Sequence, residues 1–205
     1  MQTSSVYNPD IRVVEEREGP KLLVNGSRQS GPYIRELWGR AFRAFSLPKD
    51  EERPTFLLVL GVGGGTVIEL LAKRFPNTHI TAVDIDPMMV TIAKQYFQID
   101  KIANVRLVRA DAKIYVDHCR KKGTLFDIVV VDLFIGRKVP DIVSSRAFLS
   151  GLHAIVRPRG YLLINYLREL EYQTKSDELC ERLKALWRHV EDMSLYNNRF
   201  FFAHT

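Results

Sequence analysis

A chain of 205 residues, 46% of them hydrophobic, can bury one sizeable core and is too short for two full domains. No run approaches the roughly 18 to 20 consecutive apolar residues that a membrane span needs, and the N-terminus lacks the basic-then-apolar layout of a signal peptide, so a soluble, cytoplasmic protein is expected. Lys plus Arg stands at 30 against 24 for Asp plus Glu, a net charge of +6, but the cations fall in small groups on helix faces and helix ends, such as Arg120, Lys121 and Lys122, and nucleic acid is not an expected partner.

The first elements form a short appendage. Ile11–Glu16 (IRVVEE) and residues 21–24 (KLLV) are β-prone runs around Arg17-Glu18-Gly19-Pro20, which predicts an N-terminal hairpin. Residues 33–45 place Leu37, Ala41, Ala44 and Phe45 on one helical stripe, with Pro32 suited to the first turn. The charged, proline-bounded stretch 48–54 reads as a linker. The division expected is therefore an appendage over residues 1–50 and a main domain over 51–205.

From Thr55 onward apolar runs and helical patterns alternate. Strands are expected at 56–60, 79–85, 105–110, 126–133 and 161–167, with helices at 66–75, 87–99, 112–122, 144–156 and 173–190. Runs such as FLLVL, DIVVV and YLLIN are almost continuously apolar, as parallel strands covered on both faces must be, and this predicts an α/β doubly wound sheet. Residues 193–196 and 199–204 are β-prone and separated by Asn197-Asn198, which predicts a closing antiparallel hairpin. Cys119 and Cys180 fall within helices and show neither metal-ligand spacing nor a disulfide framework, so reduced thiols and no metal are expected.

The residues that carry chemistry stand at the ends of the strands. Gly61-Val62-Gly63-Gly64-Gly65-Thr66 follows the first buried strand and opens a helix; Gly61, Gly63 and Gly65 permit a sharp turn and close approach of a ligand to free backbone N–H groups. Asp84, with Ile85 beside it, ends the second strand, where a carboxylate can accept hydrogen bonds from both ribose hydroxyls. Asp86 before Pro87 reads as the cap of the next helix. Asp111, followed by Ala112, either accepts from an adenine amino group or caps its helix, and its place as the third polar group on this edge favours the ligand. Asp132 ends the fourth strand, where the reacting end of the ligand should lie. Together these describe an adenosine pocket. NAD would use the same turn and ribose acid, but Thr66 stands where the third glycine of the dinucleotide fingerprint belongs, and the closing hairpin also argues against it.

LLVLGVGGGTVIELL, ITAVDIDPMMVTIAKQYF, VRLVRADAKIYV, FDIVVVDLF and FLSGLHAIVRPRGYLLINY resemble the spermidine synthase family over about three quarters of the chain. The resemblance implies a Rossmann-like class I S-adenosylmethionine methyltransferase fold, a mostly parallel seven-stranded sheet with an antiparallel C-terminal hairpin, preceded by a short N-terminal β-hairpin and helix. It further implies that Gln29 contacts the nucleotide, that Tyr33 lines the cleft, that the cofactor is S-adenosylmethionine or its decarboxylated form, and that the protein is a homodimer. Two family acids are absent. The glycine loop is shorter and holds no carboxylate, and Ile135 stands where the family carries the aspartate that helps to deprotonate the attacking amine; an isoleucine is no general base.

Aminopropyl transfer brings two cationic reactants together and needs those carboxylates, whereas S-adenosylmethionine has a carboxylate of its own that backbone N–H groups can receive. Methyl transfer to a small-molecule acceptor is therefore the leading expectation. A divergent aminopropyltransferase acting on a polyamine is the first alternative, and a non-catalytic nucleotide- or partner-binding relative the second. Asp132 is the expected catalytic residue: it either orients the acceptor and takes its proton or fixes the amino group of the cofactor. Tyr166, with Asn165, is expected to touch the acceptor from the end of the fifth strand, and His153 and His189, both placed in helices, are given no role.

Overall fold

The computed structural model describes residues 1–45, 47, 55–169 and 171–204; the stretch 48–54, read as a linker, lies outside them. At the N-terminus β1 (Gln2–Thr3), β2 (Ile11–Glu16), β3 (Gly19–Val24) and β4 (Ser27–Arg28) form an antiparallel sheet in that order. The expected hairpin is its centre, widened by two short flanking strands, and its turn is tighter than expected because Gly19 and Pro20 pair with Glu16 and Glu15. Alternation along β2 and β3 buries Ile11, Val13, Leu22 and Val24 on one face, against Met89 and Ile92. Helix α1 (Pro32–Ala44) follows, with proline at its start. Its buried stripe is Leu37, Trp38, Ala41 and Phe42; Ala44, expected on that stripe, is exposed.

The main sheet holds β5 (Phe56–Leu60), β6 (His79–Asp84), β7 (Val105–Arg109), β8 (Phe126–Val131), β9 (Val156–Leu167), β10 (His189–Leu195) and β11 (Asn198–His204), in the spatial order β10-β11-β9-β8-β5-β6-β7. The pairs β5·β6, β5·β8, β6·β7 and β8·β9 are parallel, while β11 runs antiparallel to β9 and β10. Helices α2 (Thr66–Arg74), α3 (Pro87–Gln95), α4 (Ala112–Lys122), α5 (Arg146–Ile155) and α6 (Tyr172–Lys184) make the crossovers. Because side chains alternate along a strand, Leu58, Leu60, Val129, Val131, Leu162 and Ile164 enter one core layer beneath α4, α5 and α6. Leu57, Val59, Ile128, Val130 and Leu163 enter the opposite layer, beneath α1 and α2. The chain is thus a class I S-adenosylmethionine methyltransferase fold: a mostly parallel seven-stranded sheet closed by an antiparallel hairpin.

The C-terminal third departs from the sequence expectation. Helix α6 stops at Lys184, not at residue 190, because Trp187 turns into the core and His189 and Val190 already pair with His204 and Ala203. His189 is therefore a strand residue. The hairpin turn is Tyr196-Asn197, with Tyr196 in the left-handed region at φ 54°, since Asn198 pairs with both Leu195 and Leu167. Among the described residues no helix is long and apolar enough to cross a membrane.

The strand order reverses between β5 and β8: from β5 the chain moves outward through β6 and β7, then returns to β8 on the other side. In a doubly wound sheet the crevice for a ligand opens at the carboxyl ends of the strands at that reversal. Gly61 and Asp132 stand on its two sides.

Candidate functional site

Two adjoining cavities occupy the crevice. The first, about 190 Å³, is walled by Gly61, Val62, Gly63, Asp84, Ile85, Asp111 and Ala112 from the strand ends, and by Tyr7, Asn8 and Gln29 from the loops that flank the N-terminal strands. The second, about 300 Å³, is walled by Arg28, Tyr33, Leu37 and Trp38 on one side and by Asn165, Leu167, Glu169, Asn197 and Asn198 on the other. Gln29, Ile34, Asp132 and Phe134 belong to both walls.

Gly61 adopts φ 97°, and a Cβ there would collide with the carbonyl oxygen of Asp132. The bond from Asp132 N–H to Leu60 O, 2.8 Å, explains the close approach: β5 and β8 remain paired to their last residues, so the glycine turn leaves directly against β8. Gly63 lies against the carbonyl of Gln29, which fastens the turn to the end of the N-terminal sheet. Gly65, expected among the ligand contacts, is not in the cavity wall. It is the residue before α2, at φ 79°, and a Cβ on it would run into Ile99, so packing and backbone conformation account for this glycine.

Asp84 accepts from Val62 N–H through one oxygen and from Asp86 N–H through the other, both at 2.9 Å, and so fixes the glycine turn to the end of β6. Burial nevertheless holds its pKa above the ordinary aspartate value, outweighing these backbone donors. Asp86 caps α3 by accepting from Met88 N–H at 2.9 Å. Its other oxygen receives Ser5 Oγ and Asn8 Nδ2, at 2.5 and 2.8 Å, which draws the N-terminal segment over the first cavity. Asp111 caps α4 with one oxygen, 2.9 Å from Ile114 N–H, and stands in the cavity wall as well. The two roles weighed for it are compatible.

No local sequence pattern marks Asn8. It is 5% exposed and lines the first cavity, and its amide oxygen has no hydrogen-bond partner among the described residues. A buried acceptor left unpaired costs roughly 1–3 kcal/mol, and a ligand donor in the cavity would recover that cost. The acid at Asp84, the second acid at Asp111, the free acceptor on Asn8 and the turn without side chains at Gly61 fit an adenosine nucleus with its ribose hydroxyls and amino group.

Asp132 connects the two cavities. Its carboxylate accepts from Trp38 Nε1 at 3.1 Å and from Asn165 Nδ2 at 2.9 Å, and Asn165 in turn accepts from Asn198 Nδ2 at 2.8 Å. Every donor in this chain is neutral, and among the described residues no cation pairs with Asp132. Burial pushes its carboxyl up to about 6, against the pull of the two hydrogen bonds. Tyr166, expected beside the acceptor, is turned away: it is 2% exposed and packs on Tyr172 in the opposite core layer. Alternation along β9 gives the cleft to Asn165 and the far side to Tyr166. Tyr33 does line the second cavity, its ring 5.5 Å from that of Tyr196 with the Arg28 guanidinium 5.8 Å away. Gln29 turns its amide across the junction to donate to Gly136 O at 2.7 Å. Ile135 is half-exposed at the edge of the first cavity and brings no charge.

A family model described as "Methyltransferase domain" matches residues 57–160. A polyamine aminopropyltransferase of Vibrio vulnificus is 33% identical over 135 residues, 65% of this chain and 42% of that protein. An eEF1A lysine and N-terminal methyltransferase homolog of Drosophila melanogaster is 32% identical over 115 residues, 53% of this chain and 17% of that protein. The chain thus spans less than half the length of either relative. Among solved structures, human methyltransferase-like protein 13 in complex with SAH superposes with a TM-score of 0.71 at 24% identity, over 80% of each chain. The chain belongs to the methyltransferase-domain family, within the S-adenosylmethionine-dependent methyltransferase superfamily and with spermidine synthase-like relatives.

Proposed function

We propose that the protein transfers a methyl group from S-adenosylmethionine to an amine of a small molecule held in the second cavity. The observation that carries this is the charge of that cavity. Among the described residues its charged side chains are Arg28, Asp132, Arg137 and Glu169, and the last acid is already paired with Arg137 at 3.0 Å and with Asn197 at 2.8 Å. A site for a polyamine needs surplus carboxylates to offset at least two ammonium groups, and none is in excess here.

Asp84, Asp111 and Asn8 would hold the adenosine part, and the N–H groups at the start of α2 would receive the donor's carboxylate. Bound there, S-adenosylmethionine would supply an electrophilic methyl group to the acceptor nitrogen, with S-adenosylhomocysteine as the leaving product. Asp132 stands where the cavities meet, and its carboxyl near 6 suits it to hold the incoming ammonium and take its proton. Trp38 and Asn165 hold that carboxylate in place. Phe134 and Ile34, which line both cavities, would narrow the junction and keep water from the reacting atoms.

Aminopropyl transfer is the second reading, favoured by the Vibrio vulnificus relative. The acid-free glycine turn and Ile135 weigh against it. Incubation with methyl-labelled S-adenosylmethionine and a panel of small amines tests the assignment. Label should appear on nitrogen, and Asp132→Asn should lower the rate by about 100-fold or more, the scale expected for losing a positioned acid–base group. Product formation with decarboxylated S-adenosylmethionine alone would replace methyl transfer by aminopropyl transfer.

A further inference from the structure

The charges of the second cavity also bear on the acceptor's chemical class. Arg137 and Glu169 neutralise each other, which leaves one carboxylate and one guanidinium without an opposite charge among the described residues. The carboxylate is Asp132, at the wall shared with the cofactor cavity. The guanidinium is Arg28 on β4, exposed, lying over the Tyr33 ring and in no ion pair. Tyr33 continues the rim to Tyr196, whose hydroxyl accepts from Arg40 at 3.2 Å. The cavity is therefore negative where it meets the cofactor site and positive at its mouth.

We infer that the acceptor is a zwitterion, an amine whose nitrogen is presented at Asp132 and whose anionic group, carboxylate or phosphate, is received by Arg28. A guanidinium fork matches either oxyanion in two parallel hydrogen bonds, and stacking on Tyr33 holds its plane. A diamine would set a second ammonium against Arg28, a like-charge contact that selects against it. The wall amides of Asn165, Asn197 and Asn198 add hydrogen-bonding capacity between the two ends without adding charge.

The inference rests on the proposed function, and the test separates the two. The protein is first titrated with S-adenosylhomocysteine; failure to bind removes the cofactor assignment and the acceptor class with it. The saturated complex is then titrated with γ-aminobutyrate, with phosphoethanolamine and with putrescine. At least one of the two zwitterions should bind about tenfold or more tighter than putrescine, the scale of one charge-assisted hydrogen-bonded pair, and which of them does so identifies the anion. Arg28→Gln should abolish that preference, with the S-adenosylhomocysteine titration repeated as the control for folding. Tighter binding of putrescine, absence of saturable binding by either zwitterion, or an unchanged preference in Arg28→Gln would overturn the inference while leaving methyl transfer standing.

Discussion

Asp132 accepts hydrogen bonds from two neutral donors and meets no cation among the described residues, so its ionised form is the costly one in the folded protein. Its pKa rises from the usual 3.8 to about 6, which means that between those values the folded chain keeps a proton that the unfolded chain has released. Stability from this group is full at low pH and is lost as pH rises toward 6. Asp132→Asn should therefore be more stable than the native protein by about 1–3 kcal/mol at neutral pH, and the difference should vanish near about pH 4, as read by denaturant unfolding at the two pH values. A constant difference across that range would mean that Asp132 finds a compensating charge. Gly61 gives a second test at this scale. Gly61→Ala places a methyl group against the Asp132 carbonyl in a backbone region that L-residues avoid, so calorimetry should find S-adenosylmethionine affinity lowered at least about tenfold together with a loss of stability of about 1–3 kcal/mol.

At the scale of elements, α1 joins the N-terminal appendage to the crevice at the strand ends. It buries Leu37, Trp38 and Phe42 in the same core layer as β5 and β9, and Trp38 reaches Asp132 across 94 positions of sequence. Trp38→Phe retains an aromatic ring but removes the N–H donor, so the titration of Asp132 followed by carboxyl NMR should move to higher pH, with a stability loss of about 1–3 kcal/mol. On the opposite edge, Arg199 of β11 is 8% exposed and pairs with Asp192 at 2.7 Å and with Asp177, tying the closing hairpin to α6. Arg199→Ala should lower stability by about 2–4 kcal/mol in a thermal or denaturant melt, because a buried cation's partners are left unpaired, and should leave S-adenosylhomocysteine affinity near its native value. These contacts also show what could be read from the chain in advance. The placement of Asp84, Asp111 and Asp132 in the crevice is legible because each follows a strand, and the sheet edge assembles such residues whatever their separation. That of Trp38 and Asn8 is not, since their partners lie 94 and 78 residues away and no local pattern marks a pairing at that range. Tyr166 and Asn165 are adjacent in sequence yet face opposite layers, and only the register of β9 against β8 and β11 decides which one enters the cleft.

For the whole molecule, the alternation of buried strands and helices was enough to define the fold, because parallel strands covered on both faces leave few other arrangements. Helix α6 ends before residue 190 for a global reason: residues 185–190 suit a helix locally, but the final strand offers His189 and Val190 a partner across the hairpin. The proposed methyl transfer belongs to this scale too, since it depends on two cavities, one glycine turn and one uncompensated carboxylate acting together. Calorimetric titration with S-adenosylmethionine and, in the same buffer, with its decarboxylated form tests it most directly. The intact donor should bind at least about tenfold tighter, because its carboxylate meets backbone N–H groups while no loop acid awaits the amino group of the other form. Preference for the decarboxylated donor, or binding of neither, would contradict the account.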